Sequence, residues 1–130
     1  MSRLSPELLR VVRLDELLQN VADSEQLACM VIDEFLVHYE PLLIEISRSI
    51  ERRDLASIAQ AAHRLKGSVW AVSAASGTAG RASAMELAAL HGDLSAVQSE
   101  FAALAPRVAT LAEALRAWRA QRAAPRGGTP

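Results

Sequence analysis

The stretch Leu55-Ala56-Ser57-Ile58-Ala59-Gln60-Ala61-Ala62-His63-Arg64-Leu65-Lys66-Gly67-Ser68-Val69-Trp70-Ala71-Val72 decides the fold. Leu55, Ile58, Ala62, Leu65, Val69 and Val72 recur in it at intervals of three and four. That spacing lines them up along one side of an α-helix, which makes a turn every ~3.6 residues. A strand would instead show alternation by twos, rich in β-branched and aromatic residues. Asp54 stands just ahead of the run, where a carboxylate can accept a hydrogen bond from an unpaired N–H of the first turn. The pattern predicts a helix from Leu55 to about Ala74 with one buried face.

Similar patterns lie on both sides of it. Ser5-Pro6 reads as a cap followed by a first-turn proline, opening a short helix over Pro6 to Asn20. Leu14, Leu17, Leu18 and Val21 form its apolar side. Asp23 and Ser24 offer caps for the next helix, which carries Ala28, Ile32, Phe35, Tyr39, Leu42, Ile46 and Ile50. Pro41 removes one backbone hydrogen bond there, but the stripe resumes in register, so a kink near His38 to Pro41 is expected rather than a break. Beyond the central helix, the small residues from Ser73 to Gly80 interrupt the pattern. A further helix is expected from about Thr78 to Leu90, ended by His91-Gly92, whose glycine suits a left-handed cap. Asp93 caps a last helix bearing Leu94, Val97, Phe101, Leu104, Val108, Leu111, Leu115 and Trp118, with Pro106 a candidate bend. Ala123 to Pro130 is expected to be a disordered tail.

The expected fold class is therefore all-α: an antiparallel four-helix bundle with a short additional N-terminal helix, formed by residues 1–122. The capping and glycine signals argue against the alternative of one long coiled-coil rod. Composition agrees. Of 130 residues, 51% are apolar but only 4% aromatic, and the dominant alanine and leucine favour closely packed helices. A formal net charge of −1 provides no basic field for nucleic acid. No segment approaches the ~20 apolar residues of a membrane span, and no signal peptide is evident, so direct membrane contact is not expected and the cytoplasm is the expected location. The lone Cys29 permits no internal disulfide and reads as a small buried hydrophobe. His38, His63 and His91 show no metal-ligand spacing, so no metal site is expected.

His63 lies one residue past Ala62, about 100° around the helix from the buried stripe. That places it at the edge of the core and accessible. Spacing alone leaves an ordinary surface histidine equally open. Gly67 tips the reading. A glycine inside a helix costs ~1 kcal/mol relative to alanine, so its presence one turn from an accessible histidine suggests that a partner must come close. Neutral imidazole is a competent nucleophile for phosphoryl groups. Lys66, one turn on, is placed to stabilise negative charge there. Gln60, one turn before, is a candidate to orient the imidazole or to meet a partner. Arg64 points to another side of the helix and is a weaker candidate to meet a partner.

The segment Ala61-Ala62-His63-Arg64-Leu65-Lys66-Gly67-Ser68 resembles the signature of histidine phosphotransfer (Hpt) domains. Weaker similarity extends over about residues 12 to 122. Asp33-Glu34-Phe35-Leu36 with Pro41-Leu42-Leu43 resembles the family's second helix, and Arg53-Asp54-Leu55 resembles its corner. Met85-Glu86 and Gly92-Asp93-Leu94 resemble its fourth helix and final turn. The resemblance implies a phosphorelay carrier, with His63 as phosphoacceptor, Lys66 as charge stabiliser and Gly67 as clearance for the partner. It implies response-regulator receiver domains as partners, with a hybrid sensor histidine kinase as a further candidate. It implies no cofactor in this chain, the magnesium belonging to the receiver. Nothing in the sequence resembles ATP-binding machinery, so a phosphocarrier rather than a kinase is expected. A monomer is favoured over a dimer through the long last helix.

Two residues depart from the family pattern. Ser73 stands where a glycine is usual, and Trp70 is large. Trp70 follows His63 by seven residues, two turns along the same face. It either packs across the bundle or extends the docking surface as an aromatic anchor. These departures keep a second reading open, a helical interaction module that docks a receiver or another signalling regulator without transfer. Glu86 and Arg81 fall in the following helix, and spacing does not settle which way they point.

Overall fold

The structure is a computed structural model that describes residues 25–73 and 77–127. The short helix expected over Pro6 to Asn20 lies outside the described residues. Among those described, four helices follow one another: α1 (Glu25–Glu51), α2 (Leu55–Ser73), α3 (Thr78–Leu90) and α4 (Leu94–Gly127). Each packs against the next, and α4 closes back on α1, giving the expected bundle.

The stripes read from the sequence are the core. Ile32 and Ile46 of α1, Ile58 and Leu65 of α2, and Leu104, Leu111 and Leu115 of α4 are fully buried, and Met85 of α3, for which the sequence reading gives no stripe, joins them. Removing such a side chain from water contributes about 1.5–3 kcal/mol each. Ala61, Ala62, Ala82, Ala112 and Ala114 are buried among them and let the helix backbones approach. α1 runs through Pro41 without a break. The carbonyl that Pro41 cannot pair belongs to Val37, four residues earlier, whose side chain is exposed, so water can satisfy it. α4 likewise continues through Pro106.

Two corners share one construction. Asp54 N–H donates to Ser49 O and Arg53 N–H to Ile50 O; Asp93 N–H donates to Ala88 O and Gly92 N–H to Ala89 O. Each is a Schellman ending, closed by a residue in the left-handed region: Arg53 at φ 57° and Gly92 at φ 76°. Each is followed by the expected aspartate cap, with Asp54 Oδ1 accepting from Ser57 N–H and Asp93 Oδ1 from Ala96 N–H. The corner at Gly92 was legible; the left-handed arginine was not, because arginine carries no such preference.

Polar clasps tie the last helix to α1. Arg119 forms a two-pronged contact with Asp33 at 2.9 and 3.2 Å, and Arg116 donates to Tyr39 Oη at 2.5 Å. Phe35 and Tyr39 stack at 5.4 Å between ring centroids. The last helix is described as far as Gly127, past the Ala123 at which a tail is expected; residues 128–130 of that expectation lie outside the described residues. Ala120, Ala123 and Ala124 are the strongest helix formers available, and they extend a helix that the core has already nucleated.

Candidate functional site

α2 crosses the bundle with Leu65 inward and His63 outward. The His63 side chain is 65% exposed, as its place beside the stripe predicts. Its Nδ1 lies 3.0 Å from Glu86 Oε2, reaching across from α3. A carboxylate can only accept, so Nδ1 carries the proton and Nε2 of the neutral ring keeps a free lone pair. Lys66 Nζ donates to the other oxygen of the same carboxylate, Oε1, at 3.2 Å. Glu86 is thus a hub. It fixes the imidazole's rotation and tautomer with one oxygen and holds the cation beside it with the other.

The hub can work because Glu86 is largely buried, with only 18% of its side chain exposed. Charge interactions are stronger at such a half-dry boundary than in open water. Spacing on α2 alone could not have found it. Counting along the hairpin could: His63 lies ten residues before Ser73, the last of α2, and Glu86 eight after Thr78, the first of α3. Two antiparallel helices of equal depth bring those positions level. Arg81 turns out to point elsewhere, toward Glu100 of α4 at 3.5 Å.

The remaining candidates flank this centre. Gln60 is exposed on the rim of a recess shared with Ala59, His63, Glu86 and Leu90. The orienting partner of the imidazole is Glu86, in place of the Gln60 considered from spacing. Arg64 leans toward α1, where it pairs with Glu45 at 2.7 Å, and it lines both the His63 recess and the groove beside Gly67. Gly67 is exposed, and among the described residues a Cβ built on it would meet nothing beyond its own turn of helix within 4 Å. It borders a groove of about 590 Å³ between α1 and α2, floored by Val31, Phe35, Leu42 and Ala71. His38 borders the same groove, its ring 3.1 Å from Glu34, so it stands at the site's margin as well as near Pro41. Trp70 is 61% exposed, which removes the reading in which it packs across the bundle.

The geometry therefore presents an accessible nucleophilic nitrogen, an oriented ring, an adjacent cation and open backbone beside it. Among the described residues, no cluster of three or more histidine, cysteine or acidic side chains is arranged to hold a metal. None of the described helices is long and apolar enough to cross a membrane.

Comparison with known proteins gives the family. The profile of the Hpt domain family matches residues 30–120, which covers α2 and α3, most of α1 and α4, and every residue of the centre. Comparisons with curated proteins and with solved structures gave no match. The chain belongs to the Hpt domain family.

Proposed function

We propose that this Hpt domain accepts a phosphoryl group from the aspartyl phosphate of one receiver domain onto Nε2 of His63 and passes it to a second receiver. Hpt domains are phosphocarriers of phosphorelays rather than kinases. The observation that carries the particular assignment is the pairing of exposed His63 with the largely buried Glu86 carboxylate.

The step balances simply. The lone pair of Nε2 attacks phosphorus, an N–P bond forms, and the P–O bond to the aspartate breaks, leaving its carboxylate. Nδ1 keeps its proton throughout, so the ring becomes cationic, and Glu86 offsets that charge. Lys66 can lend one N–H to the phosphoryl oxygens while it stays close to Glu86. Gly67 leaves room for the receiver's loops, and Gln60 and Arg64 meet its surface. The divalent cation that phosphoryl transfer needs is assigned to the receiver. Return transfer to another receiver is the same step reversed.

The test is incubation with a receiver carrying labelled aspartyl phosphate. Acid-labile, base-stable label is expected on the chain and is expected to vanish in His63→Gln. Receiver binding without label would support the non-transferring docking module instead. Label that survives His63→Gln would overturn the assignment of the acceptor.

A further inference from the structure

We propose that Trp70 selects among receiver domains, by anchoring a docking footprint that runs from His63 along α2, on the side away from the Gly67 groove. The proposal rests on the receiver-docking part of the reading above and names the partner feature that this docking requires.

Position comes first. Trp70 is seven residues after His63, hence about 10 Å along the axis and about 20° around it. Around α2 it falls between His63 and Lys66, both of which reach Glu86 of α3. It therefore belongs to the α3 side of the outward face, whereas Gly67 opens onto the α1 side. Leu90, 64% exposed, extends the apolar surface in the opposite direction, beside His63 in its recess. His63 is thus flanked by a groove on one side and a protruding indole on the other.

Area comes next. A specific protein interface covers about 800 Å² on each partner, roughly a disc of 16 Å radius. A receiver centred on His63 covers a point 10 Å away. Trp70 is then buried by any partner that brings an aspartyl phosphate to Nε2. This indole is 61% exposed and adds little to the core, whereas the other tryptophan, Trp118, is 5% exposed within it. A tryptophan desolvated well inside an interface is the residue type most often found to dominate binding.

Selection follows from the chemistry of what meets it. A receiver with an apolar recess about 10 Å from its phosphorylated aspartate gains by covering the ring. A receiver with a carboxylate there must desolvate it against the indole with no partner, and is refused. Groove and indole together give two separated contacts, which fix the orientation of the docked domain about His63.

The test compares the wild-type chain with Trp70→Ala and Trp70→Phe against a panel of phosphorylated receivers. For the preferred receiver, Trp70→Ala is expected to raise KM at least about tenfold while the maximal transfer rate stays within about twofold. Trp70→Phe should fall between, and Trp70→Ala should level the differences in kcat/KM among receivers. Titration of the wild-type chain with receiver should shift tryptophan emission to the blue, a change absent in Trp70→Phe because Trp118 is already buried. An unchanged KM with unchanged discrimination overturns the proposal, as does a loss confined to the maximal rate. If no receiver labels the wild-type chain, the transfer reading falls, and the emission titration still decides whether Trp70 is covered.

Discussion

Gly67 separates what the helix prefers from what a partner needs. Among the described residues, nothing beyond its own turn of helix lies within 4 Å of where its Cβ would be, so packing of those residues does not require a glycine there. Gly67→Ala is expected to raise stability by about 0.5–1 kcal/mol in urea denaturation. Gly67→Gln should leave the helical circular dichroism intact yet block transfer, because its side chain stands where the receiver approaches. Normal transfer by Gly67→Gln would remove the clearance argument. The Glu86 hub makes a second, graded expectation. Glu86→Gln keeps an acceptor oxygen for Nδ1 but loses the charge, whereas Glu86→Ala loses both. Transfer rates from a saturating receiver should fall in that order, with Glu86→Ala slower by about tenfold or more. Lys66→Ala should slow transfer by about tenfold without abolishing it, since the receiver's own cations share the phosphoryl charge. Equal rates in all three variants would leave the network a surface ornament.

The corners between helices carry expectations of their own. Arg53 and Gly92 hold the same left-handed place in the same hydrogen-bonded ending, but only Gly92 does so without steric cost. Arg53→Gly should therefore stabilise the fold by about 1 kcal/mol, and Gly92→Ala should destabilise it by a similar amount, both measured by thermal melts. The cap after Arg53 responds to pH. Asp54's carboxyl is held below the ordinary aspartate range, chiefly by the Ser57 hydroxyl and then by the Ser57 N–H. A carboxyl more acidic when folded adds stability above its unfolded-state pKa and loses it as pH falls through the folded value. Acidification through and below the ordinary aspartate range should thus lower the melting temperature more in the wild-type chain than in Asp54→Asn, which caps without titrating. These corners also mark what local sequence can say. Asp54, Gly92 and Asp93 were legible because capping chemistry acts within a few residues. Arg53's conformation was not, because it is imposed by the two helices that it joins.

At the scale of the whole bundle, legibility divides along the same physical line. Intervals of three and four say which side of a helix faces inward, so Leu65, Val108 and Leu111 could be placed in the core and His63 at its edge. They do not say how far a neighbouring helix reaches across that edge. Glu86 beneath His63 and the open flank at Trp70 are both consequences of how α3 lies against α2, a relation between segments that no single periodicity contains. The end of α4 poses the same problem. Composition marked Ala123 as the start of a tail, but the helix persists to Gly127, so secondary structure no longer locates the end of the bundle. Burial does: Trp118 is the last buried side chain among the residues whose burial is described, 5% exposed, with Arg119 beside it clasping Asp33. Stability should therefore depend on Trp118 and not on the turns after it. Trp118→Ala is expected to cost about 3–5 kcal/mol in denaturant titration. A chain ending at Gln121 should unfold within about 0.5 kcal/mol of the full-length chain. It should also transfer at the same rate, because the His63 centre is built from α2 and α3 and its groove from α1. A large loss in the shortened chain would move the boundary of the cooperative unit past Trp118 and make the last turns of α4 part of the fold.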